Sequence, residues 1–231
     1  MAPQLCTYSS THSSDSTATI LLPKKTTSQT LRVATLNIQN ARANCIYLRR
    51  SLQWLDFVCL QEHWLFIFEA ETLLDLFPTH NFAVKCADDS DPISPKERKR
   101  GHGGVAIGWK NNHNHAVKTL EDGSCRTIAI EIHTQDRPIC LINTYLPSRG
   151  RGHSTEDFNT ALDEVSEIVE KFSNSHLIVL MGDFNSSLHR DPPNNHDYTL
   201  RKQLKKSILG PHNHTQWPPP YFTMTVFTMP K

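Results

Sequence analysis

The sequence predicts an α/β sandwich, two mixed β-sheets flanked by helices, and three observations carry that prediction. Four apolar runs each end on an amide, an acid or a tyrosine: Val33-Ala34-Thr35-Leu36 into Asn37, Phe57-Val58-Cys59-Leu60-Gln61 into Glu62, Ile139-Cys140-Leu141-Ile142-Asn143-Thr144 into Tyr145, and Leu177-Ile178-Val179-Leu180-Met181 into Gly182-Asp183-Phe184-Asn185. Strands and helical periods alternate at both ends of the chain. Between them lies a run of strand patterns separated by turn signals, which argues for antiparallel pairing.

Taken in order, the folded part begins at Leu31, and residues 1–30, rich in Ser and Thr, read as a disordered tail. The first strand runs to Asn37. A helix over 41–54 follows, with Ile46, Leu48, Leu52 and Leu55 as its apolar face. The strand 57–62, a helix over 68–76 and a strand from Phe82 come next, and the polar, Pro-containing stretch 88–100 reads as an exposed loop. Strands over 103–109, 116–121, 125–133 and 137–147 are separated by turn signals at Asn111-Asn112, Asp122-Gly123 and Gln135-Asp136. Ser154 with Asp157 opens a helix to Phe172, whose apolar positions Phe158, Leu162, Val165, Ile168 and Val169 recur at helical spacing. The strand ending at Asn185 completes the pattern. Beyond it, 200–209 reads as a basic amphipathic helix, Pro218-Pro219-Pro220 as a breaker, and 221–228 as an edge strand.

Bulk properties narrow the class. A chain of 231 residues supports one sizeable domain with a core. Its 24 Lys+Arg against 23 Asp+Glu give a formal charge of +1, so attraction to nucleic acid must come from local patches. Two basic segments, Lys96-Glu97-Arg98-Lys99-Arg100 and Arg149-Gly150-Arg151, are candidates, although solvated loop charges explain each equally well. The six cysteines show no Cys-x-x-Cys spacing, which suits a reduced intracellular protein. No stretch has the length of a membrane span, so no membrane partner is expected. His113-Asn114-His115 and His212-Asn213-His214 are read as polar loops, and His63 as a packing residue.

An acid or amide at the tip of a buried strand is poorly placed for packing and well placed to meet a ligand or metal. The set Leu36-Asn37, Leu60-Gln61-Glu62, Thr144-Tyr145-Leu146-Pro147 and Gly182-Asp183-Phe184-Asn185, with Gly103-Gly104-Val105-Ala106-Ile107 and Arg126 in support, resembles the endonuclease/exonuclease/phosphatase family. The likeness is strongest to apurinic/apyrimidinic endonucleases and to the endonuclease domains of LINE-type retroelements. It implies a metal-dependent phosphodiesterase that nicks DNA, using Mg²⁺, with Mn²⁺ as a substitute. By the same resemblance Glu62 is the principal metal ligand and Asn37 its neighbour. Asp183 orients or deprotonates the attacking water, Asn185 donates a hydrogen bond to the phosphate, Tyr145 offers its hydroxyl to the phosphate or to Asp183, and Arg126 contacts substrate. DNA is the implied partner, and the nucleus, ahead of the cytoplasm, the implied location. The Gly-Asp-x-Asn tetrad also suits a plain turn after a strand.

Family members close with a late strand Asp and a Ser-Asp-His segment. No Ser-Asp-His tripeptide occurs in these 231 residues. The resemblance therefore implies a domain, 31–231, that lacks its last strands, and two alternatives stay open. One is an inactive truncated fragment; the other is action on a different phosphoester, such as RNA, a phosphoinositide or a sphingolipid.

Overall fold

The computed structural model describes residues 17–21, 30–149, 154–187, 190–209 and 222–226. Two five-stranded mixed sheets lie face to face. In the first, β1 (Thr17–Leu21), β2 (Thr30–Asn37), β3 (Phe57–Gln61), β4 (His80–Lys85) and β5 (Val105–Lys110) are ordered β1-β2-β3-β5-β4. In the second, β6 (Val117–Ser124), β7 (Thr127–Ile132), β8 (Ile139–Tyr145), β9 (Leu177–Asp183) and β10 (Phe222–Val226) are ordered β10-β9-β8-β7-β6. Among the described residues β10 is the last strand, paired in parallel with β9 at the sheet edge.

Period-two alternation decides which side chains meet which layer. Val33, Phe57, Cys59, Val105 and Ile107 point inward from the first sheet and meet Ile128, Ile130, Leu141, Val179 and Met181 of the second. The intervening Ala34, Leu36, Val58 and Leu60 face outward against α1 (Cys45–Leu52) and α2 (Thr72–Leu76). On the other side, Cys140, Ile142, Ile178 and Leu180 pack on α3 (Thr155–Phe172), together with Leu200 and Leu204 of α4 (Asn195–Leu209). The result is four layers, α/β/β/α. α3 starts where the sequence predicts, with Ser154 Oγ accepting from the Asp157 amide at 3.0 Å and the Asp157 carboxylate accepting from the Ser154 amide at 2.7 Å. Burying Phe158 or Leu162 on its inner face contributes roughly 2 kcal/mol each.

Several local expectations are corrected. α1 is shorter than 41–54, and Ile46 is 68% exposed, because two positions from Leu48 is about 200° around the helix. The helix expected over 68–76 is a 3₁₀ turn, Ile67–Glu69, followed by the five residues of α2. The Glu69 carboxylate closes that turn on the Phe66 amide and pairs with Arg42 and Arg98 at 3.3 and 3.0 Å. Asp122-Gly123 is not a hairpin turn but an irregularity inside β6, where Gly123 has φ +92° and a side chain would collide with the Thr127 carbonyl. The expected meander is divided: β5 stays in the first sheet between β3 and β4, and only β6 to β8 run antiparallel in the second. Within the segment read as a tail, Thr17–Leu21 forms β1 antiparallel to β2. Pro218 to Pro220 lie outside the described residues.

Candidate active site

Two parallel strand pairs aim the site. β2 and β3 run parallel in one sheet, β8 and β9 in the other, so all four C-terminal ends reach the same rim. Asn37 ends β2 in register with Gln61; Tyr145 ends β8 in register with Asp183. Gly182 is required just before the acid, because its φ is +144° and a Cβ there would run into the Thr144 carbonyl. Glu62 leaves β3 with φ +56°, which turns its carboxylate across the rim rather than along the strand, and Asn185 has φ +47°. Such conformations cost on the order of 1 kcal/mol or more each, and they concentrate at sites where geometry is under selection for function.

Residues separated by up to 146 positions meet here in one hydrogen-bonded set. Asn37 Nδ2 donates to Glu62 Oε1 at 3.1 Å and to Asp183 Oδ2 at 2.9 Å. The Tyr145 hydroxyl donates to Glu62 Oε1 at 2.6 Å rather than to Asp183, one of the two partners expected for it, the other being the phosphate. Asn185 donates its backbone amide to Asp183 Oδ1 at 3.1 Å, while one N–H of its side-chain Nδ2 goes to the Leu146 carbonyl at 2.7 Å. The Arg126 guanidinium lies 5.9 Å over the Tyr145 ring. Burial raises the proton affinity of Asp183, with the Glu62 charge adding to it, against the hydrogen bonds from Asn37 and the Asn185 amide that favour the carboxylate. Burial, and then the bond to Glu62, hold the Tyr145 phenol well above its ordinary value, so it stays protonated and donates.

The rim stands on a buried polar bridge that links the sheets. Gln61 Nε2 donates to Asn143 Oδ1 at 2.6 Å and to Thr35 Oγ1 at 2.9 Å, and Asn143 Nδ2 reaches the carbonyls of Leu60 and Ala106, both at 2.9 Å. His63 is fully buried beside it. Its Nδ1 accepts from the Leu65 amide at 3.1 Å, leaving Nε2–H to face the Lys85 carbonyl at 3.1 Å. Burial lowers its pKa to about 4, consistent with a packing role. Gly104, at φ +81°, gives that imidazole its space.

Sequence reasoning passed over three members of the set. Gln61 and Asn143 stood within quoted motifs, but their pairing across 82 positions has no local signature. Trp64 donates its indole N–H to Glu62 Oε2 at 3.1 Å, a contact made possible by its own φ of +60°. The basic loops divide: Arg98 is spent on Glu69, Arg100 lies 5.4 Å over the Trp64 ring, Arg149 is exposed, and Gly150 and Arg151 lie outside the described residues. His102 is exposed near the rim, and His113 to His115 form a 3₁₀ turn against Phe57 and Asp56. His212 to His214 are outside the described residues.

The donor set suits a hard divalent cation. Two carboxylate acceptors fix Asn37 Nδ2 toward Glu62 and Asp183, so Asn37 Oδ1 faces the other way, buried and without a hydrogen-bond partner. An orphaned acceptor of this kind costs roughly 1–3 kcal/mol unless an ion or water meets it. Among the described residues no three His, Cys, Asp or Glu side chains converge as a metal cluster. One or two carboxylates with an amide oxygen match the preference of Mg²⁺, which keeps several waters.

The fold has many relatives of low sequence identity. The chain is similar to the 3′ phosphatase NExo from Neisseria solved with product DNA hairpin (16% identity, TM-score 0.57), over 76% of this chain and 70% of that one. It is similar to the AP endonuclease LMAP from Leishmania major (17%, TM-score 0.58), over 76% of this chain and 66% of that one. It also resembles the endonuclease domain of TRAS1, a telomere-specific non-LTR retrotransposon (13%, TM-score 0.54), over 77% of this chain and 72% of that one. Among curated proteins no relative matches. Residues 34–230 match the family described as Endonuclease/Exonuclease/phosphatase, a span that contains every residue of the rim, and the chain belongs to that family.

Proposed function

We propose that this chain is a Mg²⁺-dependent phosphodiesterase that nicks DNA and derives from a retroelement. The observation that carries the reading is the rim itself, where Asn37, Glu62, Tyr145 and Asp183 are joined by hydrogen bonds and an unpartnered amide oxygen faces away from them. Glu62 and Asn37 Oδ1 would hold the ion, with Mn²⁺ as a substitute. When bound, it neutralises phosphate charge and steadies the leaving oxygen.

The remaining work falls to side chains of this chain. Asp183, with its raised proton affinity and a carboxylate held by Asn37 and the Asn185 amide, takes the proton from the attacking water. The water oxygen bonds phosphorus, the bond to the leaving sugar oxygen breaks, and that oxygen is protonated from solvent. Tyr145 fixes Glu62 and turns its ring to Arg126, which places a positive charge beside the phosphate. Asn185 keeps one side-chain N–H beyond the bond to Leu146 for a phosphate oxygen. DNA as substrate is supported by the neighbours, one of them bound to a DNA hairpin and another an AP endonuclease. The TRAS1 domain supports the retroelement origin and, with it, action on nuclear DNA.

The alternative reading is a folded domain that binds nucleic acid without cutting it. Nicking of supercoiled plasmid by the purified chain with Mg²⁺, against EDTA and Asp183→Ala controls, separates the two. Nicking lost in both controls supports the enzyme; nicking that survives Asp183→Ala overturns it, and a folded chain that binds the plasmid without nicking establishes the second reading. RNA, phosphoinositide and sphingolipid substrates are tested in the same way by substitution for the plasmid.

A further inference from the structure

Glu62 is gripped from two sides, and one of the grips has no assigned role. Asn37 and Tyr145 both bond Oε1, at 3.1 and 2.6 Å. Oε2 is bonded by the Trp64 indole N–H at 3.1 Å. The terminal torsion of a glutamate side chain is broad and roughly two-fold, so bonds to one oxygen leave the carboxylate free to rock about its last C–C bond. A second bond to the other oxygen fixes the plane.

The backbone is bent to make that second bond. Glu62 and Trp64 both adopt left-handed φ, at +56° and +60°, and their amides are tied to the carbonyls of Gly104 and Gly103 at 2.9 and 3.1 Å. His63, buried between them, anchors the turn through the Leu65 amide and the Lys85 carbonyl. The indole is held on its other face as well. Arg100 lies 5.4 Å over the ring, and Gly101 passes so close that a Cβ there would collide with the Trp64 carbonyl oxygen. Two left-handed non-glycine residues flanking one buried histidine make an expensive way to pack a half-buried tryptophan and an economical way to aim its N–H.

We propose that Trp64 is a positioning residue for Glu62: its indole N–H fixes the plane of the carboxylate that serves as metal ligand, and Arg100 stacked on the ring holds the indole in place. The inference rests on the proposed function, in which Glu62 ligates Mg²⁺. Partners that orient a metal ligand typically set 10- to 100-fold of the metal affinity. The indole also reports on the bond it makes. Metal binding at Glu62 withdraws charge from the acceptor of the Trp64 N–H and so changes the emission of that residue.

The experiment is titration of the full chain with Mn²⁺, followed by calorimetry and by tryptophan fluorescence, for the wild type and the variants W64F, R100A and E62Q. Circular dichroism melting controls for the fold. W64F keeps an aromatic ring under Arg100 and removes only the donor. It is expected to weaken Mn²⁺ binding about 10- to 100-fold, and at saturating metal to lose the fluorescence response, since the indole bonded to Glu62 is gone while Trp54 is solvent-exposed and Trp109 packs in the apolar core. R100A is expected to weaken binding about two- to five-fold. Wild-type affinity in W64F, with the emission change intact, overturns the inference. Should W64F fail to fold, R100A decides: weakened binding upholds the inference, and unchanged binding with an unchanged emission response overturns it. E62Q separates this result from the underlying reading. If it binds Mn²⁺ as the wild type does, Glu62 is not the ligand and the proposed function is what fails; if it loses the metal while W64F does not, the Trp64 inference fails alone.

Discussion

The two ends of the sandwich are built from the same ten strands on opposite terms. At the rim, all five non-glycine residues with left-handed φ among the described residues (Gln39, Asn40, Glu62, Trp64 and Asn185) follow directly on the ends of β2, β3 and β9. Beneath them the space between the sheets is filled by amides, Gln61 against Asn143, rather than by hydrocarbon. At the far end the same layer is Leu31, Phe57, Trp109, Ile132 and Ile139, all buried, and the charged cluster there, Glu131 between His133 and His176, involves a partly exposed face. Strain and buried polarity are gathered where strand ends converge; stability without that burden comes from the other end. Substitutions at the two ends therefore separate activity from stability.

The largest separation is expected at Asp183. Under the proposed function, Asp183→Asn is expected to lower Mg²⁺-dependent cleavage about 10²- to 10⁴-fold, because the amide accepts no proton. The same change is expected to raise stability at neutral pH. A carboxyl whose folded pKa lies above its unfolded value binds its proton more tightly in the folded chain, so stability falls as pH rises through that interval. Above it the folded chain carries an ionised, buried acid, and a neutral amide removes that cost. Urea midpoints at pH 8 should therefore favour the variant, with the advantage shrinking under acid conditions. A variant that is inactive and also less stable at pH 8 would break the contrast between the ends.

A second contrast lies within one strand. Asn143→Ala removes one of the bonds made by Gln61, which keeps Thr35, and one from each of the carbonyls of Leu60 and Ala106, and three buried hydrogen bonds at about 1 kcal/mol each predict a loss of roughly 3 kcal/mol. Ile139→Val, four residues earlier at the far end of β8, removes one methylene from an apolar contact and should cost about 1 kcal/mol. Asn143→Ala should also slow cleavage, since Gln61 carries Glu62, whereas Ile139→Val should leave the rate unchanged. Equal urea shifts, or equal rates, would show that the polar bridge is no different from the core around it.

This asymmetry also explains what could be read from the sequence. Strand ends were legible because apolar runs that stop at Asn37, Glu62, Tyr145 and Asp183 combine a period-two pattern with residue types that strands avoid. α3 was legible to within one residue at its start, and its Ser154 cap was read directly, because the cap is a local hydrogen-bond pair. The division of the antiparallel run between two sheets was not, since the same alternation serves β5 in one sheet and β6 in the other, and only packing chooses. Nor were the grips on Glu62. The Tyr145 hydroxyl and the Trp64 indole reach that carboxylate only because φ changes sign at residues 62 and 64, and no side-chain pattern announces a left-handed Glu or Trp.

The smallest effect belongs to the far end and tests whether its charges matter to the fold alone. Glu131 Oε2 accepts from His176 Nε2 at 2.7 Å, and Ser175 Oγ lies 2.7 Å from Nδ1 of the same ring. His133 reaches Oε1 at 2.8 Å from a side chain that is 60% exposed. The hydrogen bond from His176 holds the Glu131 carboxyl below its ordinary value, against the burial that would raise it. With a depressed folded pKa, the stabilisation is present above the ordinary carboxylate range and is lost as pH falls through the folded value. Solvent screens this edge, so Glu131→Gln should cost only about 0.5–1 kcal/mol near pH 7. The difference from wild type should close only as pH falls through the folded value, below the ordinary carboxylate range, where both side chains are neutral. Cleavage should be unaffected throughout, because nothing at this end touches the rim; a rate that followed the Glu131→Gln stability profile would mean that the two ends are coupled through the sheets.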